Sequence, residues 1–343
     1  MASEILSLAE YIGQENIKKR LRFAIVSSLL QKTSFPHTLM SGPPGLGKTT
    51  LAKIIANETG CPFYSFTATQ ITEKTIQEIL GKLPKDGYNL KTGEVEDRSQ
   101  IIPCVVFIDE IQNLSKRLTQ MLHTALENRT ITVNRHNPEK GRVESVLCWV
   151  PEFTMIGATN YLGSLPKPFR DRFPMNILFE IYTDEEIERV ISGHARKMGI
   201  AIEDEAIVKI ASKSRGVPRI ALSYFGKTHD VCVVRCSERK GIIPEIISDD
   251  VDVMLESEEI DEMGLTRIDR KALMYLLSVN RPIGVKAFAQ AIDEDIQTVE
   301  NVIEPWLVKL KFIVRTGSGR YLTEAGRKYI GKERDLGLYP IQE

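Results

Sequence analysis

A glycine-rich stretch near the N-terminus limits the possible folds more than any other part of the chain. Residues 40–50 read Met-Ser-Gly-Pro-Pro-Gly-Leu-Gly-Lys-Thr-Thr, which has the spacing of a phosphate-binding loop. Glycines let the backbone N–H groups close around phosphates, the lysine reaches the β- and γ-phosphates, and the next hydroxyl ligates Mg²⁺. An apolar lead-in and a helical run afterwards disfavour the alternative, a glycine-rich surface turn. The residues expected to bind a nucleoside triphosphate are Gly42, Gly45, Gly47, Lys48, Thr49 and Thr50.

Length and charge restrict the class of protein. A chain of 343 residues predicts two or three domains. Because the formal net charge is −1, no global basic field attracts DNA, and any nucleic-acid contact must come from a local patch. The five cysteines show no metal or disulfide spacing, since Cys232 and Cys236 have no companion pair. No apolar run has the length of a membrane span. We therefore expect a cytoplasmic protein with reduced thiols and no membrane contact.

A second motif lies about sixty residues after the loop. Residues 104–108 form an apolar, β-branched run that ends in Asp109 and Glu110. Such a run predicts a buried parallel strand with carboxylates at its C-terminal edge, where ligands of open α/β sheets bind. Asp109 is expected to hold Mg²⁺ through water, and Glu110 to polarise the attacking water. The alternative is an ordinary solvated strand end.

Residues 153–160 predict another central strand, and Asn160 at its end can sense the γ-phosphate and orient the water. Arg170 and Arg172 follow in a segment rich in proline and phenylalanine. Arg170 is a candidate finger, a guanidinium that neutralises charge on the transferring phosphoryl group. An intrachain salt bridge is the alternative for either arginine, and for Arg172 the two interpretations are equally supported.

Two further segments of the first 182 residues are ambiguous. Residues 130–147 predict a β-hairpin, either packed or protruding to bind a partner. Residues 84–100 are polar and turn-rich, which suggests an inserted loop or small hairpin. Near the N-terminus, Tyr11 and Ile12 are on residue type alone more typical of core positions.

From residue 183 the composition changes to amphipathic helices, predicted at 184–198, 204–214 and 218–236. Pro218 fits a first helical position. Arg219 next to it either folds back onto the nucleotide or is a solvated helix residue.

Residues 259–343 predict three helices, at 267–277, 285–292 and 296–310, followed by a hairpin, which is a winged-helix pattern. The hairpin and tail are basic, and Arg315 and Arg320 are expected to contact the phosphate backbone of DNA rather than its bases. Docking of protein by the winged helix is the alternative. The basic residues are Lys309, Lys311, Arg315, Arg320, Arg327, Lys328, Lys332 and Arg334.

Taken together, these motifs resemble the RuvB family, bacterial motors of Holliday-junction branch migration. The phosphate loop and acid pair suit any AAA+ ATPase, whereas the winged helix and the motif at residues 215–221, here called the lid motif, narrow the resemblance to RuvB. The similar segments are residues 11–14, 42–52, 107–111, 153–159, 169–173, 215–221, 269–271 and 302–305.

The resemblance implies a role for each motif residue. Lys48 and Thr49 would be the Walker A pair, and Asp109 and Glu110 the Walker B pair. Asn160 would be sensor 1. Arg219, beside Pro218, would be sensor 2 in the nucleotide site. Arg170 would act across a subunit boundary, and Tyr11 and Ile12 would line the adenine pocket.

The resemblance also implies partners. The hairpin at 130–147 would dock a RuvA-like junction-binding protein, and six copies would form a ring around double-stranded DNA, with the wing on the backbone. The chain departs from the family at Asn160, where a threonine is usual, in the longer 84–100 loop and in the hairpin tip at 134–140.

The expected fold is therefore α/β: a P-loop AAA+ domain with a parallel sheet at 1–182, a small all-α lid at 183–256 and a winged helix at 257–343. The expected function is ATP- and Mg²⁺-dependent branch migration of Holliday junctions in recombination and repair. The alternative is a clamp-loader-like or replication-initiation factor that uses ATP as a switch rather than to drive a motor.

Overall fold

The computed structural model describes residues 7–81, 103–137, 142–150, 152–237 and 244–335. It divides into two compact units, the first ending at Glu180 and the second beginning at Ile181. The predicted 84–100 insertion and part of the hairpin tip, residues 138–141, lie outside the described residues. No helix in the described ranges is long and apolar enough to cross a membrane.

The first unit is built on a five-stranded parallel sheet. Its helices and strands, in chain order, are α1 (Glu15–Gln31), β1 (Thr38–Ser41), α2 (Lys48–Glu58), β2 (Phe63–Thr67), α3 (Glu73–Gly81), β3 (Cys104–Asp109), α4 (Lys116–Asn128), β4 (Thr130–Asn137), β5 (Arg142–Trp149), β6 (Phe153–Thr159), α5 (Lys167–Arg170) and β7 (Met175–Leu178). The strand order in the sheet is β2-β3-β6-β1-β7.

The three central strands are buried almost along their whole length, as the apolar runs predict for a parallel sheet covered on both faces. β6 lies between β3 and β1. Because all five strands are parallel, the segments that follow β1, β3 and β6 emerge at one edge of the sheet.

α3 and α4 pack with the sheet in one apolar core, which also receives Phe169 and Phe173 from the segment around α5. α4 begins after Ser115, whose hydroxyl accepts a hydrogen bond from the Leu118 N–H at 3.3 Å. The helix ends directly before β4, which pairs with β5 as the predicted antiparallel hairpin. The hairpin therefore extends from the end of a core helix.

The second unit contains the predicted lid helices and winged helix. Its elements are α6 (Asp184–Met198), β8 (Ala201–Ile202), α7 (Asp204–Lys213), α8 (Pro218–Ser237), β9 (Glu245–Ile246), α9 (Ser248–Ser257), α10 (Arg267–Val279), α11 (Val285–Ile292), α12 (Ile296–Thr298), α13 (Glu304–Lys309), β10 (Ile313–Thr316), β11 (Gly319–Leu322) and α14 (Glu324–Asp335).

Local sequence explains several of these boundaries. Thr183 and Glu186 form a reciprocal capping box at the start of α6, and Gly199 ends it with φ 68°. Pro218 is the first residue of α8, as predicted. The predicted helix at 296–310 is divided, because a π-helical turn, Val299–Ile303, separates α12 from α13.

Candidate nucleotide-binding site and wing

Only glycine fits two positions of the loop between β1 and α2. Gly42 and Gly47 have φ values of 141° and 94°, which residues with a side chain rarely adopt. A Cβ on Gly42 would lie 2.9 Å from the Phe179 carbonyl oxygen, and one on Gly47 would lie 2.6 Å from the Tyr11 hydroxyl. Gly45, between them, also has a positive φ, 82°. The glycine spacing therefore reflects a closely wrapped backbone.

Lys48 connects this loop to the end of β6. Its ammonium donates hydrogen bonds to the carbonyl oxygens of Gly42 at 2.7 Å and Pro43 at 2.9 Å, and to Asn160 Oδ1 at 2.9 Å. The side chain is 8% exposed. The structure thus brings together two residues that the sequence separates by 112 positions.

Thr49 and Thr50 follow in the first turn of α2, and both are partly buried. The N-terminal end of this helix carries unpaired N–H groups and the positive end of the helix dipole, which favour an anion. The orientation agrees with the predicted phosphate-binding role.

The two acids occupy the neighbouring strand end. Asp109 is the last residue of β3, and Glu110 adopts the left-handed conformation with φ 50°. The Glu110 N–H donates to Asp109 Oδ1 at 2.9 Å, and the Asn113 amide donates to Glu110 Oε2 at 3.2 Å. A non-glycine residue with positive φ at a strand end is typical of functional sites.

These residues fit a magnesium nucleotide. The loop is a cradle that a Cβ at Gly42 or Gly47 would fill, and Thr49 and Asp109 offer the oxygen ligands that Mg²⁺ prefers. No cluster of three His, Cys, Asp or Glu side chains suited to a metal occurs in the part of the chain described. Mg²⁺ in such sites is held by one or two protein oxygens together with the substrate phosphates.

The N-terminal segment lies against the loop. Tyr11 is 4% exposed and its hydroxyl donates to the Leu46 carbonyl at 3.2 Å, whereas Ile12 is only partly buried. Lys18 donates to the Tyr11 carbonyl at 2.8 Å. Tyr11 is therefore a core residue that also touches the predicted nucleotide site, so the two interpretations of it are compatible.

Arg170 ends α5 and is partly buried. It lines a cleft of about 450 Å³ together with Lys167, Asp171 and Asn176. Its Nε is buried, and no described residue accepts a hydrogen bond from it. Buried donors without a partner are uncommon in folded proteins.

Arg172 differs from Arg170, because it is bound within the chain. Its Nη2 lies 2.6 Å from Glu127 Oε1 and its Nε donates to His123 Nε2 at 3.4 Å. The salt bridge that the sequence offered as one interpretation of Arg172 is thus present within the chain.

The lid motif begins with a buried arginine that sequence reasoning assigned no role. Arg215, with φ 58°, places Nη2 2.5 Å from Asp269 Oδ2 in α10 and donates from Nε to the Gly264 carbonyl at 3.1 Å. A Cβ on Gly216 would collide with the Tyr182 carbonyl oxygen. Arg219, in contrast, is exposed.

The wing arginines share one buried carboxylate. Arg315 and Arg320 are directly opposite each other in the β10–β11 pair, and Glu304, which is fully buried, bonds both. Arg315 Nε lies 2.6 Å from Glu304 Oε2, and Arg320 also pairs with Glu300 at 3.1 Å. Burial alone would lower the pKa of Arg320, but its bonds to Glu304 and Glu300 outweigh burial and raise the pKa.

The exposure of the two arginines separates their roles. The Arg315 side chain is 49% exposed and that of Arg320 is 14% exposed. Arg315 is therefore the more accessible of the two for the backbone contact that the sequence predicts for both.

Several site residues had no signal strong enough to be found in advance. Asn113 lies three positions after Glu110, which is the only hint of their contact. Glu304 and Asp269 lie inside helical patterns, where an acid is usually a solvated residue. Gln14 holds the N-terminal segment, since its amide donates to the Glu180 carbonyl at 2.6 Å and accepts from the Glu180 N–H at 3.3 Å.

Comparison with known proteins gives one consistent family. The protein-family model for the Holliday junction DNA helicase RuvB P-loop domain matches residues 5–179. The RuvB AAA lid domain matches residues 182–261, and the RuvB C-terminal winged helix domain matches residues 262–331.

Individual relatives agree. The RuvB subunit of the Holliday junction branch migration complex from Fervidobacterium nodosum is 37% identical over 326 residues, 94% of this chain and 87% of the relative. The corresponding subunit from Campylobacter fetus is 38% identical over 319 residues, which are 93% of this chain and 86% of the relative.

Solved structures extend the agreement to the fold. The Thermotoga maritima RuvB Holliday junction branch migration motor has a TM-score of 0.78 and 31% identity, covering 96% of this chain and 98% of its own. A mutant of the same protein has a TM-score of 0.80 and 32% identity, and the match covers 96% of this chain and 99% of the mutant's chain. The phosphate loop, the lid motif and the winged helix thus occur together and in the same order as in these relatives, and the chain belongs to the RuvB family.

Proposed function

We propose that this protein is an ATP-driven motor that moves the branch point of Holliday junctions in the cytoplasm during recombination and repair. Membership of the RuvB family supports the proposal, and the single observation that carries it is the bond between Lys48 and Asn160. That bond joins the phosphate-binding loop to the strand end expected to sense the γ-phosphate.

The chain's own residues divide the chemistry between them. Lys48 and the loop N–H groups bind the phosphates, with Gly42, Gly45 and Gly47 allowing the close approach. Glu110 orients and polarises the attacking water, and Asn113 fixes the direction of the Glu110 carboxylate. Asn160 Oδ1 accepts a hydrogen bond from the Lys48 ammonium. When ATP binds, the ammonium can exchange this hydrogen bond for a contact with the γ-phosphate.

Thr49 and Asp109 would hold Mg²⁺, which supplies neutralisation of charge on the β- and γ-phosphates when bound. Tyr11 and Ile12 would contact the adenine, and Pro218 and Arg219 would approach the nucleotide from the lid. These roles rest on the family resemblance together with the position of Tyr11 against the loop.

Arg170 is proposed to complete the active site of a neighbouring subunit in a hexameric ring. Its support is the buried Nε that no described residue bonds and the cleft that opens beside it. An arginine supplied in this way raises the rate of hydrolysis by about 10³- to 10⁵-fold in other phosphate-loop enzymes.

Two surfaces are proposed for macromolecular contacts. Arg315 is the wing residue expected to touch the backbone of double-stranded DNA, while Arg320 supports it through Glu304. The hairpin of β4 and β5 is the proposed docking element for a RuvA-like junction-binding protein, because it extends from α4 and interrupts a helix-to-strand connection.

The test is ATP turnover and branch migration of a four-way junction with and without a RuvA-type partner. We expect turnover to rise on the junction, the partner to increase it further, and the junction to be converted to two duplexes. Stimulation only by a sliding clamp or by primed ends would favour the clamp-loader-like or initiator-like alternative.

Two variants test the site itself. Lys48→Ala should abolish turnover. Arg170→Ala should bind ATP with unchanged affinity by calorimetry but lose hydrolysis, and mixing it with Lys48→Ala should restore activity, because the Lys48→Ala subunit supplies a finger. Normal hydrolysis by Arg170→Ala alone would exclude the role across the subunit boundary.

A further inference from the structure

The short helix α13 of the winged helix bonds the wing at its first residue and a segment next to the lid two residues later. Its first residue, Glu304, is fully buried and bonds Arg315 at 2.6 Å and Arg320 as well. Trp306 donates from Nε1 to the Met263 carbonyl oxygen at 3.1 Å. One helix therefore holds both wing arginines and the segment that follows the lid.

That segment, residues 261–265, is here called the connector, and the lid binds it too. The Glu262 carbonyl oxygen accepts a hydrogen bond from the Lys213 ammonium, and the Gly264 carbonyl oxygen accepts one from Arg215 Nε at 3.1 Å. The carbonyl between these two is the one that α13 binds. Three consecutive peptide groups are therefore bound by the lid, the winged helix and the lid in turn.

The connector is closely folded. Asp261 Oδ1 accepts hydrogen bonds from the N–H groups of Met263 and Leu265, both at 2.8 Å. Gly264 has a φ of 71°, and a Cβ there would lie 3.2 Å from the Lys213 carbonyl oxygen. Because these bonds close the connector on itself, a displacement of its middle residue also displaces its ends.

On the lid side, the connector reaches the residues proposed to approach the nucleotide. Arg215 is the first residue of the lid motif, and its side chain is 7% exposed. α8 begins three residues later at Pro218, and Arg219 follows in the first turn of that helix. A shift of the Arg215 side chain therefore acts on the start of α8.

On the wing side, Arg315 has two alternative partners. Its side chain is 49% exposed, so a DNA phosphate can take it from Glu304, which then keeps only Arg320. A buried carboxylate that loses a cationic partner is strongly destabilised. The π-helical turn Val299–Ile303, directly before α13, can adjust to this loss, since such turns often occur at functional sites. Arg315 also contacts this turn, at the Glu300 carbonyl oxygen.

We propose that Trp306 is a positioning residue that couples DNA contact at the wing to the lid. When Arg315 leaves Glu304 for a phosphate, α13 shifts, Trp306 moves the connector with it, and the connector displaces Arg215. The proposal rests on the proposed function, because it needs DNA at Arg315 and a nucleotide at Arg219. Its physical basis is a continuous series of bonds between an element with two alternative partners and the lid motif.

The first test compares ATP turnover by the full-length wild type and Trp306→Phe, with and without four-way junction DNA. Phenylalanine keeps an aromatic ring in the packed position but cannot donate to the Met263 carbonyl. One hydrogen bond changes an equilibrium by about 2- to 10-fold, so we expect the stimulation by DNA to fall by this factor. Turnover without DNA and the affinity for DNA without nucleotide should equal those of the wild type.

Binding gives a second readout, which a purely structural role of the indole would not change. Fluorescence anisotropy measures the affinity for duplex DNA with and without a non-hydrolysable ATP analogue, and calorimetry measures the affinity for the analogue with and without DNA. Linkage requires the two affinity ratios to be equal. Trp306→Phe should move both ratios toward one.

Two further variants complete the design. Thr323→Val is the matched control, because it removes a side-chain donor to the Lys311 carbonyl oxygen, 2.6 Å away, in the same domain but outside the connector. Its ratios should equal those of the wild type. Lys213→Met removes the lid's bond to Glu262 at a partly exposed side chain. It should also lower the ratios, and it remains informative if Trp306→Phe folds poorly.

Wild-type ratios in Trp306→Phe would overturn the proposal, and so would an equal loss in Thr323→Val. If Trp306→Phe does not fold, wild-type ratios in Lys213→Met overturn it instead. Failure of the proposed function is distinguishable, since the wild type itself would then show no turnover stimulated by the junction. If the wild type is stimulated and Trp306→Phe is stimulated equally, only the coupling role of Trp306 fails.

Discussion

At the scale of single residues, His37 shows how burial shifts the pKa of a titratable group and so makes the stability of the fold depend on pH. Its Nδ1 accepts a hydrogen bond from the Met155 N–H at 3.0 Å, and its ring lies 5.3 Å from that of Phe153. Burial, and secondarily the charge of Arg129, lower the pKa of His37 from 6.5 to about 4. The folded chain therefore favours neutral His37, which has a lone pair to accept the bond.

This pKa shift predicts a loss of stability in acid. The unfolded chain binds a proton at His37 near its ordinary pKa of 6.5, whereas the folded chain binds it only near 4. The contribution is complete above pH 6.5 and disappears as the pH falls to about 4, with a maximum of about 3 kcal/mol. Urea unfolding of the wild type and His37→Asn between these limits is the measurement.

Asn does not titrate, and its Oδ1 can replace Nδ1 as acceptor for the Met155 N–H. The free energy of unfolding of His37→Asn should therefore fall less steeply toward pH 4 than that of the wild type. An identical pH dependence in the two proteins would contradict the assignment to His37.

Glu304 gives a second prediction at this scale. One buried carboxylate compensates two arginines that face each other across the wing. Glu304→Gln keeps the size of the side chain but removes this charge. Because Arg315 is then freer to contact phosphate, we expect tighter binding of duplex DNA and a log–log salt dependence steeper by about one.

Binding is measured by fluorescence anisotropy at several salt concentrations. Glu324→Gln is the control, since it removes an exposed acid of α14 that pairs with Lys328 rather than with the wing arginines. If Glu304→Gln and Glu324→Gln have equal slopes, the wing arginines do not limit DNA binding.

At the scale of elements, the sequence predicts best where one local pattern decides the structure. β3 and β6 follow from apolar runs, α6 from its capping residues, and the phosphate loop from glycine spacing. α11 has the bounds predicted for it. In each case the residues that decide the element lie within it or beside it.

Elements with weak local patterns were not predicted. β7 is a short edge strand of mixed burial, and α14 is a highly charged helix whose residues were interpreted only as part of a basic patch. The contacts that define the site were equally hidden, since Arg172 meets Glu127 across 45 positions and Arg215 meets Asp269 across 54. Pairings over such separations depend on the completed fold.

The hairpin offers a test of the proposed partner contact. β4 and β5 pair in register from Thr130 with Trp149 to Asn137 with Arg142. Replacing residues 134–145 by Asn-Gly would close the hairpin after the Val133–Val146 pair with a two-residue turn. We expect basal ATP hydrolysis to remain and stimulation by a RuvA-type partner to be lost, measured as the ratio of turnover with and without partner. Unchanged stimulation would place the docking site elsewhere.

At the scale of the whole molecule, the lid and the winged helix are joined by buried polar contacts. Arg215 of the lid bonds Asp269 and donates to the Gly264 carbonyl oxygen at 3.1 Å, and both of these partners belong to the winged helix. Asp269 is itself 1% exposed and accepts from Thr266 at the start of α10. Breaking one partner of such a buried pair destabilises by about 3–5 kcal/mol.

The buried pair of Arg215 and Asp269 determines how many thermal unfolding transitions the protein shows. Although three family domains match the sequence, residues from Ile181 onward should absorb heat in a single cooperative transition, because unfolding the winged helix would leave Arg215 buried without its carboxylate. Scanning calorimetry of the wild type should then resolve two transitions, and Asp269→Asn should divide the second into two. Three transitions in the wild type would mean that the winged helix unfolds without the lid, whereas two would mean that a motor of three domains has only two thermodynamic parts.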